Sequence, residues 1–143
     1  MREFLFKAKR IDNGEWVEGY YTECNGKIFI GINIFIYSDI FEVFRTPLIR
    51  WFEVDPETLR QFTGLYDKNG KKIWENDILM AHLDESYPED VAYETVEWGV
   101  AGWVAHETGS MDREYLGEFD LEHYEVVRNI FDNKELLQEE TNE

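Results

Sequence analysis

A run of alternating isoleucines constrains the fold of this chain more than any other feature. Isoleucine occupies every second position from residue 28 to residue 36, in the segment IFIGINIFI. Successive side chains of a β-strand point to opposite faces, so all five isoleucines would share one face, which has to be buried. A helix would distribute them around its axis. The pattern therefore predicts a long strand, and an unpaired edge on that strand would invite a second chain.

The rest of the sequence is also mainly of β type. Two Asn-Gly pairs, at residues 13–14 and 25–26, predict hairpin turns because both residue types tolerate a positive φ. We predict loops over residues 83–90 and 108–122. Further strands are predicted over residues 3–9, 16–23, 42–54, 72–74, 77–83, 93–99, 102–107 and 123–132.

Two short helices interrupt the predicted strands. Asp55 is a good N-cap and Pro56 suits the first helical position, so we expect a helix or 3₁₀ turn of one or two turns within residues 55–62. A capping box of the Asp-x-x-Glu type begins at Asp132 and predicts a C-terminal helix near residues 133–140. Both helices are too short to form a layer of their own, so the fold class remains mainly β.

Length and composition indicate a folded protein of one or two small domains. The chain has 143 residues, of which 43% are hydrophobic and 16% aromatic, and a disordered chain would not carry so much apolar surface. We place a boundary beside the first helix, with an N-terminal β subdomain over 1–60 and a second subdomain over 61–143. The single cysteine, Cys24, excludes an intramolecular disulfide. The N-terminus lacks a signal-peptide pattern and no segment approaches about 18 consecutive apolar residues, so we expect a soluble intracellular protein.

Acidic residues are concentrated in the second half of the sequence. The chain has 14 basic and 31 acidic residues, a net charge of −17. Residues 1–77 carry a net charge of −2, whereas residues 78–125 contain thirteen acidic residues and one basic residue, a net charge of −12. Binding to duplex nucleic acid needs cations that displace the counterions around phosphate, so we exclude direct nucleic-acid binding by residues 78–125. Solubility accounts for most of this charge.

The segment QFTGLYDKNGKKIWENDIL, residues 61–79, looks most like a binding motif. A calcium loop of the EF-hand type starting at Asp67 would need glycine at its sixth position and glutamate at its twelfth. Gly70 falls at the fourth position and Ile78 at the twelfth, so the pattern fails. We therefore interpret the segment as a turn between two strands, followed by a tight step at which Asn76 adopts a positive φ.

Four phrases in this order resemble the YopX family of phage and prophage proteins. They are FLFKAKRIDNGEWVEGYY, LRQFTGLYDKNGKKIWENDIL, VEWGVAGWVA and HYEVVRNIFDNKELL, and together they span nearly the whole chain. One departure is Asn76, where the family usually has glycine; asparagine is the residue other than glycine that best tolerates positive φ. The resemblance implies a mostly β fold with an SH3-like barrel over residues 61–143 and a location in the cytoplasm of a bacterial host. It implies no established activity.

The sequence shows no pattern typical of a catalytic or cofactor site. No glycine-rich phosphate loop and no nucleophile elbow is present. His82, His106 and His123 lack the spacing of metal ligands, so we predict no metal, no cofactor and no catalytic residues. The five tryptophans lie mostly in strand segments, where large residues build cores. A binding surface would need at least two aromatic side chains exposed together.

We therefore expect a non-enzymatic accessory protein of a phage or prophage that acts through an unknown protein partner. Self-association into a homo-oligomer is a second expectation, and contact with nucleic acid or a membrane is not expected. An acidic mimic of DNA that occupies a host DNA-binding protein is the alternative function, and a metal-dependent enzyme is the third. Loops carry binding residues more often than strands do, so the predicted partner contact is the acidic cluster of Asp84, Glu85, Glu89 and Asp90.

Overall fold

The computed structural model describes residues 4–37, 45–82, 91–107, 112–117 and 121–132, with Glu89 and Ser110. For some strand residues the structure describes only the backbone; these are residues 35–37, 45–47 and 82. The chain is mainly β, as predicted, and its helical content in the described ranges is limited to two 3₁₀ turns, Pro56–Thr58 and Leu121–His123. The strands are β1 (Phe6–Lys9), β2 (Trp16–Cys24), β3 (Lys27–Tyr37), β4 (Arg45–Val54), β5 (Arg60–Tyr66), β6 (Lys72–Trp74), β7 (Asp77–His82), β8 (Val91–Trp98), β9 (Trp103–Glu107), β10 (Glu114–Tyr115) and β11 (Tyr124–Asn129).

The chain divides into two compact units, Met1–Gln61 and Phe62–Glu143. In the first unit the antiparallel strands follow the order β4-β3-β2-β1, and the first residues of β5 pair with the free side of β1. Strand β3, which carries the isoleucines, pairs with β2 on one side and with β4 on the other. Strand β3 is therefore interior over Ile28–Gly31, and β4 forms the edge of the sheet on that side.

Strand β2 bends at Gly19 because its two halves pair with different neighbours. Residues 16–19 pair with β1, and residues 20–24 pair with β3. A Cβ atom on Gly19 would lie 2.0 Å from the carbonyl oxygen of Gly31, much closer than any side chain tolerates. Only glycine permits this approach of two backbones, so Gly19 marks the corner of the unit.

The predicted isoleucine face builds the core of the first unit. Ala8, Val17, Ile30 and Val54 are buried, and Ile28 and Ile32 pack against them together with Phe6, Phe52 and Leu59. A single bridge between Arg10 and Val54 brings the end of β1 to the end of β4. Apart from that bridge, the sheet is open in the described residues.

The second unit contains a five-stranded antiparallel sheet in the order β10-β9-β8-β7-β11. The resemblance implied an SH3-like barrel over residues 61–143, but this sheet is not closed, because β10 and β11 are its two edges in the described part of the chain. Strand β6 pairs with β5 instead of extending this sheet. The core consists of Ile73, Leu79, Ala81, Val96, Tyr124 and Val126.

The helix expected within residues 55–62 is a single 3₁₀ turn, Pro56–Thr58, and the rest of that range was wrongly assigned. Asp55 caps the turn as predicted, because its Oδ1 accepts a hydrogen bond from the Glu57 amide at 3.0 Å. From Arg60 onward the chain is strand β5, and pairing with β1 there outweighs the local helix signals. The helix predicted near 133–140 lies outside the described residues. No helix among the described ranges is long and apolar enough to span a membrane.

Candidate functional site

The segment QFTGLYDKNGKKIWENDIL builds the second unit, and its central carboxylate accepts three hydrogen bonds from backbone amides. Asp67 is buried, and its Oδ1 accepts hydrogen bonds from the amides of Asn69 at 2.8 Å and Lys71 at 2.9 Å. Its Oδ2 accepts from the amide of Val126 on β11 at 2.9 Å. The first two bonds close the turn between β5 and β6, and the third ties that turn to β11. Asp67 is therefore an architectural residue.

The step between β6 and β7 uses the same kind of backbone bonding. Asn76 has a φ of +67°, which confirms the positive φ predicted for it. Its amide donates to the carbonyl oxygen of Val96 at 2.7 Å, and its own carbonyl accepts from the amide of Ile130 at 3.2 Å. Next to it, the buried Asp77 accepts from the amide of Trp74 at 2.7 Å. The whole motif is therefore structural in the described residues.

The predicted partner-contact loop falls mostly outside the described residues. Asp84, Glu85 and Asp90 are among the residues that are not described. Glu89 is exposed, and its carbonyl oxygen accepts a hydrogen bond from the amide of Val91 at 3.1 Å. The assignment of these four residues to a contact surface therefore stays a prediction.

The histidines show no arrangement of metal ligands in the described part of the chain. His106 Nε2 lies 3.2 Å from a carboxylate oxygen of Glu97, and the same carboxylate is bound by Arg113 through Nε at 2.6 Å. His123 is exposed, and the side chain of His82 is outside the description. Among the described residues, no three His, Cys, Asp or Glu side chains are placed to hold a metal ion together.

One carboxyl group of the second unit has a perturbed pKa. Burial raises the pKa of Glu94, and the negative charges of Glu114 and Glu107 raise it further, while a hydrogen bond with Tyr124 and the nearby His106 act in the opposite direction. Glu94 lies on β8 directly opposite Glu107 on β9, which explains the repulsion. A perturbed carboxyl indicates acid–base catalysis only where a cleft also brings a substrate to it.

The five tryptophans divide into core residues and surface residues. Trp74 is buried, and Trp103 packs against the core of the second unit. Trp16 is half-buried, and three cationic groups lie 5.2 to 5.3 Å from its ring centre, those of Lys7, Lys9 and Arg60. Trp51 and Trp98 are exposed, in the first and second unit respectively. The expectation that the tryptophans are mostly core residues therefore fails for Trp51 and Trp98.

The outer face of the first unit brings two exposed aromatic residues into one row. Tyr20 on β2 pairs with Gly31 on β3, and Gly31 pairs with Trp51 on β4. Directly opposite residues point to the same face of a sheet, so Tyr20 and Trp51 flank Gly31 about 10 Å apart at the backbone. Ile49, two residues before Trp51, lies on the same face of β4. We call these three side chains, Tyr20, Ile49 and Trp51, the aromatic surface.

Contacts with Gly31 and Asn33 on β3 order the aromatic surface. A Cβ atom at Gly31 would lie 2.6 Å from the ring of Trp51 and 2.8 Å from Cγ2 of Ile49, so both side chains lie down over the glycine. The Tyr20 hydroxyl accepts a hydrogen bond from Nδ2 of Asn33 at 3.2 Å. All three members remain 45 to 49% exposed. This is a preformed apolar surface with a polar rim, which is typical of protein interfaces.

A shallow pocket of about 240 Å³ lies at the end of the same strand. It is lined by Ile11, Asp12, Trp51, Phe52 and Glu53. Two hydrogen bonds from the Arg10 guanidinium hold the pKa of Asp12 below its ordinary value, and the same guanidinium lies 4.1 Å from the ring centre of Phe52. The pocket extends the aromatic surface along β4 rather than forming a separate site.

The chain is similar to one known protein family over nearly its whole length. The sequence profile of the YopX protein family matches residues 5–138. The chain belongs to the YopX family. This confirms the resemblance drawn from the four sequence phrases.

A solved structure is similar to this fold. It is the crystal structure of protein EF1440 from Enterococcus faecalis, which is 22% identical in sequence, covers 96% of this chain and 99% of its own, and superimposes with a TM-score of 0.62. At this identity the likeness concerns the fold alone. Among curated proteins, no sequence matches this chain significantly. The family assignment therefore carries no specific activity.

The aromatic surface is the site that sequence reasoning missed, although a signal for it exists. Gly31 interrupts an otherwise apolar strand, and a glycine inside a strand often marks the close approach of another group. In this chain that group is the ring of Trp51. The pairing of residue 31 with residue 51 could not be deduced from periodicity, because periodicity does not identify neighbouring strands.

Proposed function

We propose that the protein is a non-enzymatic accessory protein of a phage or prophage that acts in the bacterial cytoplasm by binding another protein through the aromatic surface. The observation that carries the proposal is the row of Tyr20, Gly31 and Trp51, with Ile49 beside it, exposed on one face of the first unit. Tryptophan and tyrosine are the residues that most often dominate the energy of protein interfaces. The phage origin is supported by the four sequence phrases that resemble phage and prophage proteins of the YopX family, whose profile matches residues 5–138.

The geometry favours a protein partner over a small molecule. The side chains of Trp51 and Ile49 lie against the sheet over Gly31, and the adjoining pocket is shallow and open, whereas small-molecule sites are concave and bury most of their ligand. Trp51 is already fixed over Gly31, so little conformational freedom would be lost when a partner covers it. The acidic cluster of Asp84, Glu85, Glu89 and Asp90 would contribute a second contact, which we retain as part of the proposal.

The test is capture of partners from a lysate of the bacterium that carries the gene. The bait proteins are the wild type, Tyr20→Ala, Trp51→Ala, and Trp98→Ala as a control at another exposed aromatic residue, in the second unit. We expect a captured protein that is lost from the first two variants and retained by the control. Purified partner and bait should then show a weakening of about tenfold or more for each interface variant. A partner list that is the same for all four baits would overturn the proposal.

One observation favours the acidic DNA mimic as a second candidate. Glu94, Glu107 and Glu114 crowd together on the second unit, in a segment with a net charge of −12. A mimic would bind its target through these carboxylates, so its binding would weaken steeply with salt and duplex DNA would compete for the target. Binding through the aromatic surface would respond weakly to salt. Repeating the capture at low and high salt therefore separates the two functions.

A further inference from the structure

We infer that the outer edge of β4 pairs, strand to strand, with β4 of a second copy of this chain. This goes beyond the proposed function, because it concerns the backbone edge of β4 and a partner of identical sequence. The inference rests on three observations: the direction of the β4 backbone groups, the two-stranded arm that β4 forms with β3, and the distribution of charge. Each is independent of what the aromatic surface binds.

The direction of the β4 backbone groups follows from the turn between β2 and β3. Asn25 and Gly26 alone occupy that turn, both with positive φ, so Cys24 and Lys27 close it as a hydrogen-bonded pair. Odd-numbered residues of β3 then bond to β2 and even-numbered residues bond to β4. In the register between β3 and β4, even-numbered residues of β3 pair with even-numbered residues of β4. The even-numbered residues of β4 therefore bond to β3, and its odd-numbered residues direct their N–H and C=O groups away from β3, toward the open edge of the sheet.

Two further observations agree with this direction. The carbonyl oxygen of Glu53 accepts a hydrogen bond from the amide of Ile11, which is not part of β3, at 3.1 Å. Pro47 is also odd-numbered, and a proline within a sheet is tolerated where its nitrogen faces away from the neighbouring strand. In the described ranges, backbone bonds reach that side of β4 only at its C-terminal end. The outward groups of Ile49 and Trp51 are therefore available for pairing.

Strands β3 and β4 continue beyond the rest of the sheet. Pairing of β3 with β2 ends at Gly31, whereas pairing with β4 continues to Tyr37 and Arg45. Residues 32–37 and 45–50 therefore form a two-stranded arm. Leu48 and Ile49 on this arm are 42 and 49% exposed. A two-stranded hairpin is marginally stable by itself in water, so addition of strands from a second copy would stabilise the arm.

The charge distribution selects a second copy as the occupant. Strand β4 contains two basic residues and one acidic residue, a net charge of +1, although the whole chain carries −17. Two copies that meet along β4 therefore bring little net charge into the contact between the two strands. Antiparallel pairing of one edge with itself has two-fold symmetry, which closes at a dimer and leaves no further free edge on β4.

The register of the dimer can be stated. Centring the two-fold axis on Ile49 places Ile49 opposite itself and Pro47 opposite Trp51. The Trp51 amide then donates to the Pro47 carbonyl of the other copy, so the missing N–H of proline removes only one bond per strand. Centring the axis on Arg50 would place two guanidinium groups directly opposite each other, which is unfavourable. We therefore assign the centre to Ile49.

Sedimentation equilibrium of the purified chain tests the dimer without any other protein. The variants are Ile49→Lys and, as a matched control, Val100→Lys, which changes the charge equally at a fully exposed hairpin position. We expect a dimer for the wild type and the control, and a weakening of self-association by about a hundredfold or more for Ile49→Lys. A wild type that is monomeric at all concentrations, or a dimeric Ile49→Lys, would overturn the inference.

Proline substitution tests the backbone directly. In Ile49→Pro the lost N–H points outward, so the monomer should fold normally while the dimer is lost. In Arg50→Pro the lost N–H bonds to β3, so the monomer should be strongly destabilised. Circular dichroism and thermal melting measure both effects. An Ile49→Pro chain that fails to fold, or that still dimerises, would contradict the assigned direction of β4.

Cross-linking tests the register. Cys24 is exposed and is first replaced by serine, and then Ile49→Cys or Val100→Cys is introduced. With oxidised glutathione as the oxidant of the two thiols, we expect a disulfide-linked dimer for Ile49→Cys and none for Val100→Cys. Equal cross-linking of both, or of neither, would refute the register. Loss of the dimer together with retained, Tyr20-dependent capture of a partner would remove this inference and leave the proposed function intact.

Discussion

Replacing Asp67 measures how much the central motif contributes to stability. Asp67→Ala removes the acceptor of three backbone amides. Asn69 and Lys71 are exposed, so water takes over these two amides and each lost bond costs about 1 kcal/mol. The Val126 amide lies in the core and would stay without an acceptor, which costs about 1–3 kcal/mol. We expect the free energy of unfolding to fall by about 3–5 kcal/mol.

Asp67→Asn provides the matched control. The remaining amide oxygen can still accept from Asn69 and Lys71, so the turn between β5 and β6 should survive. The side-chain nitrogen that replaces Oδ2 would face the N–H of Val126. Both groups are hydrogen-bond donors, so the Val126 N–H would have no acceptor. The free energy of unfolding should therefore fall only by the cost of the core bond, about 1–3 kcal/mol. The wild type should be the most stable of the three proteins, Asp67→Asn the next, and Asp67→Ala the least stable.

Urea unfolding followed by far-UV circular dichroism gives these free energies. Hydrogen exchange at the Val126 amide gives a local measurement, because this amide should lose protection in both variants. The reasoning would be refuted if Asp67→Asn were within about 0.5 kcal/mol of the wild type, the range of ordinary surface substitutions. In that case the bond from β11 to the turn would not hold the unit together.

The remaining predictions concern backbone conformation, close packing and pH. Urea unfolding should show that Asn76→Gly is neutral or mildly stabilising and that Asn76→Val costs about 1–2 kcal/mol, because its φ is positive; equal stability of both would contradict this. Gly19→Ala, which meets a rigid backbone oxygen, should lower the melting temperature far more than Gly31→Ala, which meets two exposed side chains that can move. Ionisation of Glu94 is disfavoured in the folded state because burial raises its pKa, so its contribution to stability decreases as pH rises through that pKa. Glu94→Gln should therefore stabilise the protein at pH 7, and the gain should vanish in melts at a pH below 4.5, the ordinary pKa of a glutamate side chain.

Local sequence signals predicted the turns and the face of the longest strand. Asn25, Gly26 and Asn76 have positive φ, as predicted. The prediction was possible because few residue types other than asparagine and glycine tolerate that conformation. The alternation of isoleucines predicted the buried face of β3, and Ile28, Ile30 and Ile32 do lie in the core of the first unit. Each of these features depends on residues within one or two positions of each other, which is why one sequence is sufficient to predict them.

Features that depend on distant residues could not be predicted. Arg60 and Gln61 follow a good helix start, yet they are strand because β1 offers a pairing edge about fifty residues away in the sequence. Trp51 and Trp74 both lie in strand patterns, and only the tertiary packing makes one exposed and the other buried. The implied barrel depended on closure between strand edges, and nothing in local periodicity specifies which edges meet.

Gly31 explains how one strand serves both the core and the surface. The even-numbered isoleucines of β3 face the core, so its odd-numbered residues have to face outward. A large apolar residue at 31 would push Trp51 away from the sheet, whereas glycine allows its ring to lie flat between β2 and β4. Trp51 also belongs to β4, the edge strand, and lies two residues from Ile49, whose backbone groups point outward. A partner on the face and a second copy at the edge would therefore both contact Trp51, so dimer formation and partner binding should influence each other through that single side chain.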